Sequence, residues 1–490
     1  FWAQSVAIEV YSLHLLFLMI LLIAILKGVE ETKVAASATS SYLLLFAFLL
    51  GLSFTNHLTT LLVLPACLFF YFRNFGFGKE SLCRLGALVP FFSLGLFLYL
   101  FLPIRSAGGP AFDWGHPVTI QRIFWHISGK QYRNWIFSGF ESAEKQLKHF
   151  VQSFPDQFHW ICIALVGLGL WHLRREARML FWFVMVLAIG CLAYSINYDI
   201  HDIDSYFLLA YLSAGIAIVF GLQSVHRLLS RNVHPWIVAG IIAVVPIGQY
   251  WMNRSAVDES DNFLVHDYTK TILENVATNA VVLTYQWDYF VSASYYFQRV
   301  RNERPDVTII DKELLRRSWY FVQLERNDPW LIERSRSKVN SFLAELYKFE
   351  HDLPYDAHVI DARFNGMIND FIEQSMKDRP VYIGPEIEPF LTTGFERMPE
   401  GLLFRLQRSV PPATGGLPEI RYRPTAFQSR LTRGIRLQYA QMLTFCGIWL
   451  RNGGFEMEAK HALGLALEID PSFNPARVLL GEEKGRGLGK

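Results

Sequence analysis

Residues 42–72 read YLLLFAFLLGLSFTNHLTTLLVLPACLFFYF, a run that is almost entirely apolar. A single α-helix through the whole run would be about 46 Å long, whereas the hydrocarbon core of a bilayer is about 30 Å thick. The polar pair Asn56 and His57 lies in the middle of the run. We therefore predict two membrane-spanning helices that turn at this pair.

Further apolar runs approach the roughly 20 residues that a membrane-spanning helix needs. They lie at about 3–26, 82–102, 157–173, 179–196, 204–222 and 235–252. With 52% hydrophobic and 18% charged residues, the chain is too apolar for an ordinary soluble enzyme. The sequence therefore predicts a polytopic α-helical membrane domain over 1–252, with a long outer loop at 103–156.

The positions of the basic residues predict the orientation, because Lys and Arg in short loops favour the cytoplasmic side. Placing each basic cluster there gives alternating crossings without a contradiction. The clusters are Lys27 with Lys33, Arg73 with Lys79 and Arg84, Arg174 with Arg175 and Arg178, and Arg227 with Arg231. The turn at Asn56 and His57, the loops 103–156 and 197–203, and the chain after 252 are then expected outside.

The second half of the chain alternates helical and strand-like patterns, which is typical of an α/β domain. Short runs of strand-forming residues predict strands at 280–285, 307–310, 380–383 and 402–406, with a helix at 289–300. The region has neither a G-x-G-x-x-G motif nor a P-loop, so a nucleotide site is unsupported. We predict an extracytoplasmic α/β domain over 253–432.

The last segment, 433–490, has a helix-pair pattern that resembles one tetratricopeptide unit. Its members are Gly447, Leu450, Ala459, Leu463 and Ala466, followed by Asp470 and Pro471. One repeat cannot bury its own face, so either more repeats follow or the pair packs on the α/β domain. A generic helical hairpin is an equal alternative, and either form offers a surface for a protein partner.

Charge and cysteine content exclude two classes of function. The chain has 46 basic and 44 acidic residues, a net charge of +2 that does not predict nucleic-acid binding. The five cysteines are odd in number and widely spaced, so we interpret them as small core residues rather than a disulfide frame or a metal site.

Polar residues in apolar helices are costly and usually mark a site. On the predicted topology Glu9, Asn56 and His57 all lie near the outer ends of their helices. Each also has a simpler interpretation, since Glu9 suits an interfacial position and the other two suit helix caps. Their common side of the membrane favours a shared substrate site.

The outer loop begins with Arg105, whose guanidinium fork suits a phosphate or pyrophosphate group. The alternative is an arginine that only extends to the membrane surface. The rest of the loop is rich in aromatic and hydrogen-bonding residues, a composition that favours polar-ligand binding. The candidates are Asp113, Trp114, His116, Trp125, His126, Gln131, Tyr132 and Arg133.

Residues 197–206, NYDIHDIDSY, place three carboxylates and His201 between two predicted spans. Such a group can hold a divalent metal, act as a general base or bind sugar hydroxyls. It can equally be a hydrated turn, and the sequence does not decide between these. Asp202 and Tyr206 are one helical turn apart, so they can face the same cavity.

Several short strings, spread over about residues 1–410, carry a resemblance as a set. They are Phe1-Trp2 through Glu9-Val10-Tyr11, Gly51-Leu52 through Asn56-His57, Leu102-Pro103-Ile104-Arg105, Trp114-Gly115-His116-Pro117, Trp125-His126 through Gln131-Tyr132, Trp287-Asp288-Tyr289, Tyr295-Tyr296-Phe297-Gln298 and Arg304-Pro305-Asp306-Val307. Together they resemble a bacterial membrane family similar to human transmembrane protein 260, a protein O-mannosyltransferase grouped with the GT-C glycosyltransferases in family 117.

The resemblance implies a GT-C-like enzyme that moves a sugar from a polyprenyl phosphate carrier, with inversion, to a protein Ser/Thr hydroxyl or an envelope glycan. Tyr11 joins the substrate-binding candidates on this basis. Such enzymes usually place the catalytic acid in the first outer loop, so we expect an N-terminally truncated chain whose catalytic residue lies upstream of residue 1. Asp113, Asp199 and Asp202 are the substitutes in this chain, and Glu9 is expected to orient the site.

Two other classes of function compete with this one. A non-catalytic membrane scaffold would gather partners through the α/β domain and the helical tail. A transporter is less favoured because no inverted repeat of the spans is evident. The expected location is a bacterial inner membrane, or its topological equivalent the endoplasmic reticulum, with 253–490 extracytoplasmic; no cofactor is certain beyond the lipid-linked substrate.

Overall fold

The computed structural model describes residues 2–6, 9–35, 39–130, 136–137, 139–200, 202–409, 412–413 and 415–481. The chain divides into two compact units. The helical unit comprises Phe1–Gly108 and Pro117–Val257, and the sheet unit comprises Gly109–His116 and Asp258–Lys490. This division differs from the predicted domains, because Gly109–His116, here called the inserted segment, and the helices after 430 both belong to the sheet unit.

The helical unit contains six helices that are long and apolar enough to cross a membrane among the described residues. They span Tyr11–Val34, Leu58–Phe75, Lys79–Ala107, Arg178–Ser195, Ile203–Leu229 and Pro235–Val257. The helix Ser41–Asn56 is apolar but shorter. The predicted span 157–173 lies in the second half of the helix Phe140–Glu176, which bends at His159 and is not one of the six.

The remaining boundaries in this unit show where long apolar runs are interrupted. Short helices cover Trp2–Val6, Phe101–Ala107 and Ile120–Ile127, and 3-10 turns cover Leu58–Val63, Phe97–Leu100 and Ile203–Phe207. The predicted turn at Asn56 and His57 is confirmed, since one helix ends at Asn56 and a 3-10 turn begins at Leu58. The prediction of one helix through 3–26 is wrong: Glu9 lies in a bend before the helix Tyr11–Ala35, which keeps its carboxylate out of an apolar helix.

Two glycines fix how closely two of these helices approach. A Cβ atom at Gly51 would overlap the carbonyl oxygen of Phe92, and one at Gly95 would overlap that of Phe48. Small residues allow such backbone contact between membrane helices. The contact holds the helix that ends at Asn56 firmly against the helix Lys79–Leu96.

The sheet unit is built on five strands in the order β2-β1-β3-β5-β4. The strands are β1 (Val281–Thr284), β2 (Thr308–Asp311), β3 (Val381–Ile383), β4 (Glu396–Glu400) and β5 (Leu403–Gln407). β1 pairs in parallel with β2 and β3, while β5 runs antiparallel to β3 and β4. The four predicted strands are confirmed, and β4 was missed because Pro399 disrupts its pattern, as is typical of an edge strand.

Helices cover the sheet and complete the core of this unit. They are Leu264–Asn275, Ser318–Asn327, Pro329–Glu350, Ala357–Ser375, Arg430–Asn452, Glu456–Ile469 and Asn474–Leu480, with π-helical turns at Trp287–Val291 and Tyr296–Val300 around Ser292–Tyr295, and 3-10 turns at Leu314–Arg316 and Pro389–Thr392. The predicted helix at 289–300 is confirmed in this form. Ile435, Tyr439 and Leu463 belong to the same buried core as the strands, so the tail packs on the α/β domain.

A polytopic helical membrane region followed by an α/β domain is therefore the architecture of the chain. All five cysteines are free, and four are buried as predicted for core residues, whereas Cys83 is exposed. The likeness of the tail to a tetratricopeptide unit stays a prediction.

Candidate functional site

A group of hydrogen-bonding side chains, here called the histidine cluster, gathers in the helical unit around the break at His57. Its members are Tyr11, His14, His57, Thr59, Tyr198 and Tyr206. The cluster forms because His57 leaves the helical conformation, with φ −153° and ψ 129°, and caps both the helix before it and the 3-10 turn after it.

Three of these side chains form a continuous hydrogen-bonded chain. The Nδ1 atom of His57 lies 2.6 Å from Oγ1 of Thr59 and accepts from the Thr59 backbone N–H at 3.4 Å. The same hydroxyl oxygen lies 3.0 Å from Nε2 of His14, which is only 3% exposed. The other ring nitrogen of His14, Nδ1, is buried without a hydrogen-bond partner among the described residues.

Aromatic rings lie close to the ring of His57. The ring centroid of His57 lies 5.0 Å from that of His14, 5.4 Å from Tyr11 and 5.9 Å from Tyr206. Tyr206 in turn stacks on Tyr198 at 4.9 Å. The result is a group of aromatic faces and polar edges, the chemistry that suits a ligand with both apolar and hydroxyl surfaces.

The segment that supplies Tyr198 and Tyr206 is held by contacts within the helical unit. Gln146 donates to the carbonyl oxygens of Tyr198 and Ile200, at 3.3 and 3.1 Å. The hydroxyl of Ser195 donates to the carbonyl oxygen of Tyr206 at 2.9 Å. Backbone anchors on both sides therefore fix where the two tyrosine rings stand.

The predicted acidic group in the same segment is largely engaged by basic side chains. Asp199 lies 3.5 Å from Nζ of Lys145, and Asp204 lies 2.9 Å from Nε2 of His149. Asp202 is exposed at the start of the 3-10 turn Ile203–Phe207. Among the described residues, no group of three His, Cys, Asp or Glu is placed to hold a metal ion, and His201 lies outside them.

Two other predicted residues lie at helix ends in this unit. Asn56 donates to the carbonyl oxygen of Val10 at 3.2 Å, which ties the first long helix to the break. Arg105 is exposed in the last turn of Phe101–Ala107, as the sequence predicted for the end of a span. Its helix is anchored by Tyr99, whose hydroxyl donates to the carbonyl oxygen of Phe54 at 2.6 Å.

Glu9 and His126 are the remaining described candidates in the helical unit. Glu9 is exposed in its bend, and His126 is half-buried in the short helix Ile120–Ile127. Gln131, Tyr132 and Arg133 lie outside the described residues. The structure thus brings Tyr11, His57 and Tyr206 together, and Asn56 binds the carbonyl oxygen of Val10, the residue after Glu9.

Asp113, Trp114 and His116 belong to the inserted segment, which packs within the sheet unit and not within the predicted membrane domain 1–252. The backbone N–H of Asp113 donates to Gln323 at 3.1 Å, and its buried carboxylate lies 2.7 Å from Nδ1 of His116. Trp114 packs against Trp319 and Trp287, with ring centroids 5.1 and 5.5 Å apart. These contacts attach the segment to the domain.

A second polar group, here called the glutamate network, lies at the carboxyl ends of β1 and β3. Glu386 accepts from the Thr284 hydroxyl, from the Tyr285 backbone N–H at 3.0 Å and from the Gln286 side-chain amide at 2.7 Å. Gln286 itself accepts from the hydroxyl of Tyr268 at 2.8 Å. The sequence did not single out these residues, because nothing in the local pattern marks Glu386.

One buried carboxyl in the sheet unit is electrostatically unusual. Asp311 ends β2 and is only 2% exposed, and this burial raises its pKa from 3.8 to about 6. The backbone N–H of Leu314, which donates to it at 2.9 Å, opposes part of that effect. Asp311 therefore holds the turn after β2 at an electrostatic cost near neutral pH.

A family model matches the first part of the chain, and individual relatives match most of its length. Residues 1–79 match the family described as Protein O-mannosyl-transferase TMEM260 N-terminal domain. That stretch contains Tyr11, His14, His57 and Thr59 of the histidine cluster. No solved structure matches the chain.

Two curated relatives extend the similarity. The chain is 24% identical over 352 residues to Protein O-mannosyl-transferase TMEM260 of Mus musculus, which covers 67% of this chain and 49% of the mouse protein. It is 21% identical over 439 residues to Protein O-mannosyl-transferase tmem260 of Dictyostelium discoideum, covering 79% of this chain and 50% of that protein. The chain spans about half the length of the curated relatives it matches. It is thus an integral membrane protein that is similar, over two thirds or more of its length, to the protein O-mannosyl-transferases named TMEM260.

Proposed function

We propose that the chain is a GT-C-type membrane glycosyltransferase that moves mannose from a polyprenyl phosphate carrier to a protein Ser/Thr hydroxyl. The observation that carries the proposal is the histidine cluster, which joins Tyr11, His57 and Tyr206 with His14 and Thr59 at a helix break. Four of these five residues lie in the stretch that matches the TMEM260 N-terminal domain. The names of the relatives support mannose and a protein acceptor.

In the proposed reaction the acceptor oxygen bonds to the anomeric carbon of the sugar while the bond from that carbon to the phosphate oxygen breaks. The phosphate leaves with the electron pair, and a base takes the hydroxyl proton. A group that donates to the departing phosphate stabilises the charge that develops there. Arg105, exposed in the last turn of its helix, is our candidate for this contact.

Location and acceptor follow as part of the same proposal. We place the sugar transfer and residues 253–490 on the extracytoplasmic side of a bacterial inner membrane. The helical tail Arg430–Leu480 is available for a protein partner there. An envelope glycan is the alternative acceptor.

The test is sugar transfer by the full chain in lipid vesicles, with polyprenyl phosphate mannose as donor and a Ser/Thr-rich peptide as acceptor. Arg105→Ala should lower the rate roughly ten- to hundredfold, because one charge-assisted contact is worth about 1.5–3 kcal/mol. Arg231→Ala, which removes an exposed arginine in a turn elsewhere in the helical unit, is the matched control.

Equal rates for Arg105→Ala and the unmodified chain would remove Arg105 from the mechanism. No transfer by the intact chain, with correct folding shown by its thermal transition, would contradict the proposal and favour the scaffold alternative.

A further inference from the structure

The hydrogen-bonded chain His57–Thr59–His14 fixes where its protons lie. A neutral imidazole carries one N–H donor and one bare acceptor nitrogen, and a hydroxyl has a single proton to donate. A backbone N–H can only donate. One backbone amide in the chain is therefore enough to assign every proton in it.

The assignment starts at His57. Its Nδ1 atom accepts from the Thr59 backbone N–H at 3.4 Å and lies 2.6 Å from the Thr59 hydroxyl. The hydrogen bond from the Thr59 backbone N–H is long, yet a proton on Nδ1 of His57 would point directly at the proton of that N–H group. Nδ1 is consequently the bare nitrogen, and the proton of the His57 ring is on Nε2.

The position of the proton on Thr59 then determines the tautomer of His14. Because Nδ1 of His57 has no proton, the Thr59 hydroxyl must donate its own proton to it across 2.6 Å. Toward Nε2 of His14, at 3.0 Å, the same oxygen can only accept. His14 therefore carries its proton on Nε2, and its Nδ1, which has no hydrogen-bond partner among the described residues, is a bare acceptor. A buried N–H without a partner would be rarer than a buried acceptor without one.

The Nε2–H group of His57 is the one donor of this chain that is not used within it. No hydrogen-bond partner for it lies among the residues that the structure describes, and the His57 ring is half-buried beside Tyr11 and Tyr206. We propose that His57 donates this N–H to an oxygen of the bound lipid phosphate, and that Thr59 and His14 are positioning residues that hold it in this tautomer. The inference rests on the proposed function, and it means that another group takes the acceptor proton.

The first experiment reads the tautomer without any reaction. The full chain, with 15N-labelled histidine in lipid vesicles, should show a His57 signal with protonated Nε2 and bare Nδ1 by solid-state NMR. His57→Gln identifies the signal by removing it. Thr59→Ser should leave the tautomer unchanged, whereas Thr59→Val should mix the two forms. A His57 ring protonated on Nδ1 in the unmodified chain would overturn the assignment.

The second experiment adds the ligand. Vesicles that contain polyprenyl phosphate should shift the Nε2 signal of His57, and inorganic phosphate at the same phosphate concentration separates a lipid ligand from a free anion. A shift with both polyprenyl phosphate and inorganic phosphate would show that His57 binds a phosphate group whether or not a lipid is attached. An unmoved Nε2 signal with both probes would overturn the donor role, even if the tautomer is as assigned.

The third experiment measures sugar transfer by two variants, His57→Gln and His57→Asn, whose side-chain amides differ in length. The side-chain nitrogen of Gln reaches the position of Nε2, whereas that of Asn reaches the position of Nδ1. We expect His57→Gln to stay within about tenfold of the unmodified chain and His57→Asn to fall roughly a hundredfold. If Gln is as inactive as Asn, His57 acts as a base and the proposal is wrong. If the unmodified chain transfers no sugar, the proposed function fails, while the first two experiments still decide the tautomer and the ligand.

Discussion

The histidine cluster and the glutamate network are built from similar side chains but differ in how fully their hydrogen-bonding capacity is used. Glu386 accepts from three donors, and Gln286 links it onward to Tyr268. In the histidine cluster, by contrast, one nitrogen of His14 and one of His57 have no hydrogen-bond partner among the described residues. A saturated network stabilises its fold, whereas unused capacity beside aromatic rings is what a ligand needs.

Removing Glu386 should produce the largest loss of stability. Glu386→Ala deletes three acceptor contacts and leaves the buried side-chain amide of Gln286 with only its long contact to Gln438, at 3.4 Å, so the sheet unit should lose about 3–5 kcal/mol. Hydrogen exchange of β1 and β3 in the full chain measures this. Glu396→Ala, at an exposed position in β4, is the control. Lost sugar transfer with unchanged exchange would show that Glu386 has a ligand role instead.

Asp311 tests whether a buried charge in the sheet unit only lowers the stability of the fold or also belongs to a binding site. Its pKa is about 6 when folded and 3.8 as the ordinary value, so between these the folded state keeps a proton that the unfolded state has lost. Stability should therefore fall as the pH rises from about 4 to 6, by up to about 3 kcal/mol.

Asp311→Asn avoids this loss and can still accept from Leu314. We expect a higher unfolding temperature than the unmodified chain at pH 7.5 and a smaller difference at pH 4.5, measured by thermal unfolding. If Asp311→Asn lowers sugar transfer without raising stability, Asp311 belongs to a substrate site. The sheet unit would then have a functional polar group as the helical unit does.

Variants of Trp114 distinguish a role in ligand binding from a role in packing. Its half-buried ring lies between Trp287 and Trp319, so Trp114→Ala should destabilise the sheet unit by about 2 kcal/mol, and Trp114→Phe by less. Denaturant unfolding of both variants checks the order. A normal stability combined with weaker donor binding would support the ligand role that the sequence suggested.

The smallest effect on stability is expected at Tyr206. Tyr206→Phe keeps the ring that stacks on Tyr198 and removes a hydroxyl that hydrogen-bonds to the Tyr198 side chain, so the free energy of unfolding should fall by about 0.5–1.5 kcal/mol. Sugar transfer should fall by up to about tenfold if that hydroxyl contacts the substrate. Tyr42→Phe, at an exposed tyrosine, should change neither quantity.

Local signals explain what the sequence predicted correctly. The length of the apolar run 42–72 and its central polar pair are enough to predict the break at His57. Strand-forming runs predicted β1, β2, β3 and β5 to within two residues, since each is a short buried strand. Neither inference needs knowledge of a distant partner.

The histidine cluster was only half predicted, for a different reason. His14 was overlooked although an ionisable residue in an apolar helix, three positions after Tyr11, is itself a signal. Thr59 carries no such signal, because small hydroxyl residues are common in membrane helices and only its position between two imidazoles makes it important. The location of Trp114 depends on partners far along the chain, which no local pattern reveals.

The sequence separation between the inserted segment and its partners determines when the segment can dock during synthesis. Asp113 and Gln323 are 210 residues apart in the chain. At about 5–20 residues per second, a ribosome would release Gln323 roughly 10–40 s after Asp113. The segment must therefore wait, with the Trp114 ring uncovered, until β1, β2 and the helix Ser318–Asn327 have been synthesised, and it cannot dock while only the helical unit has left the ribosome.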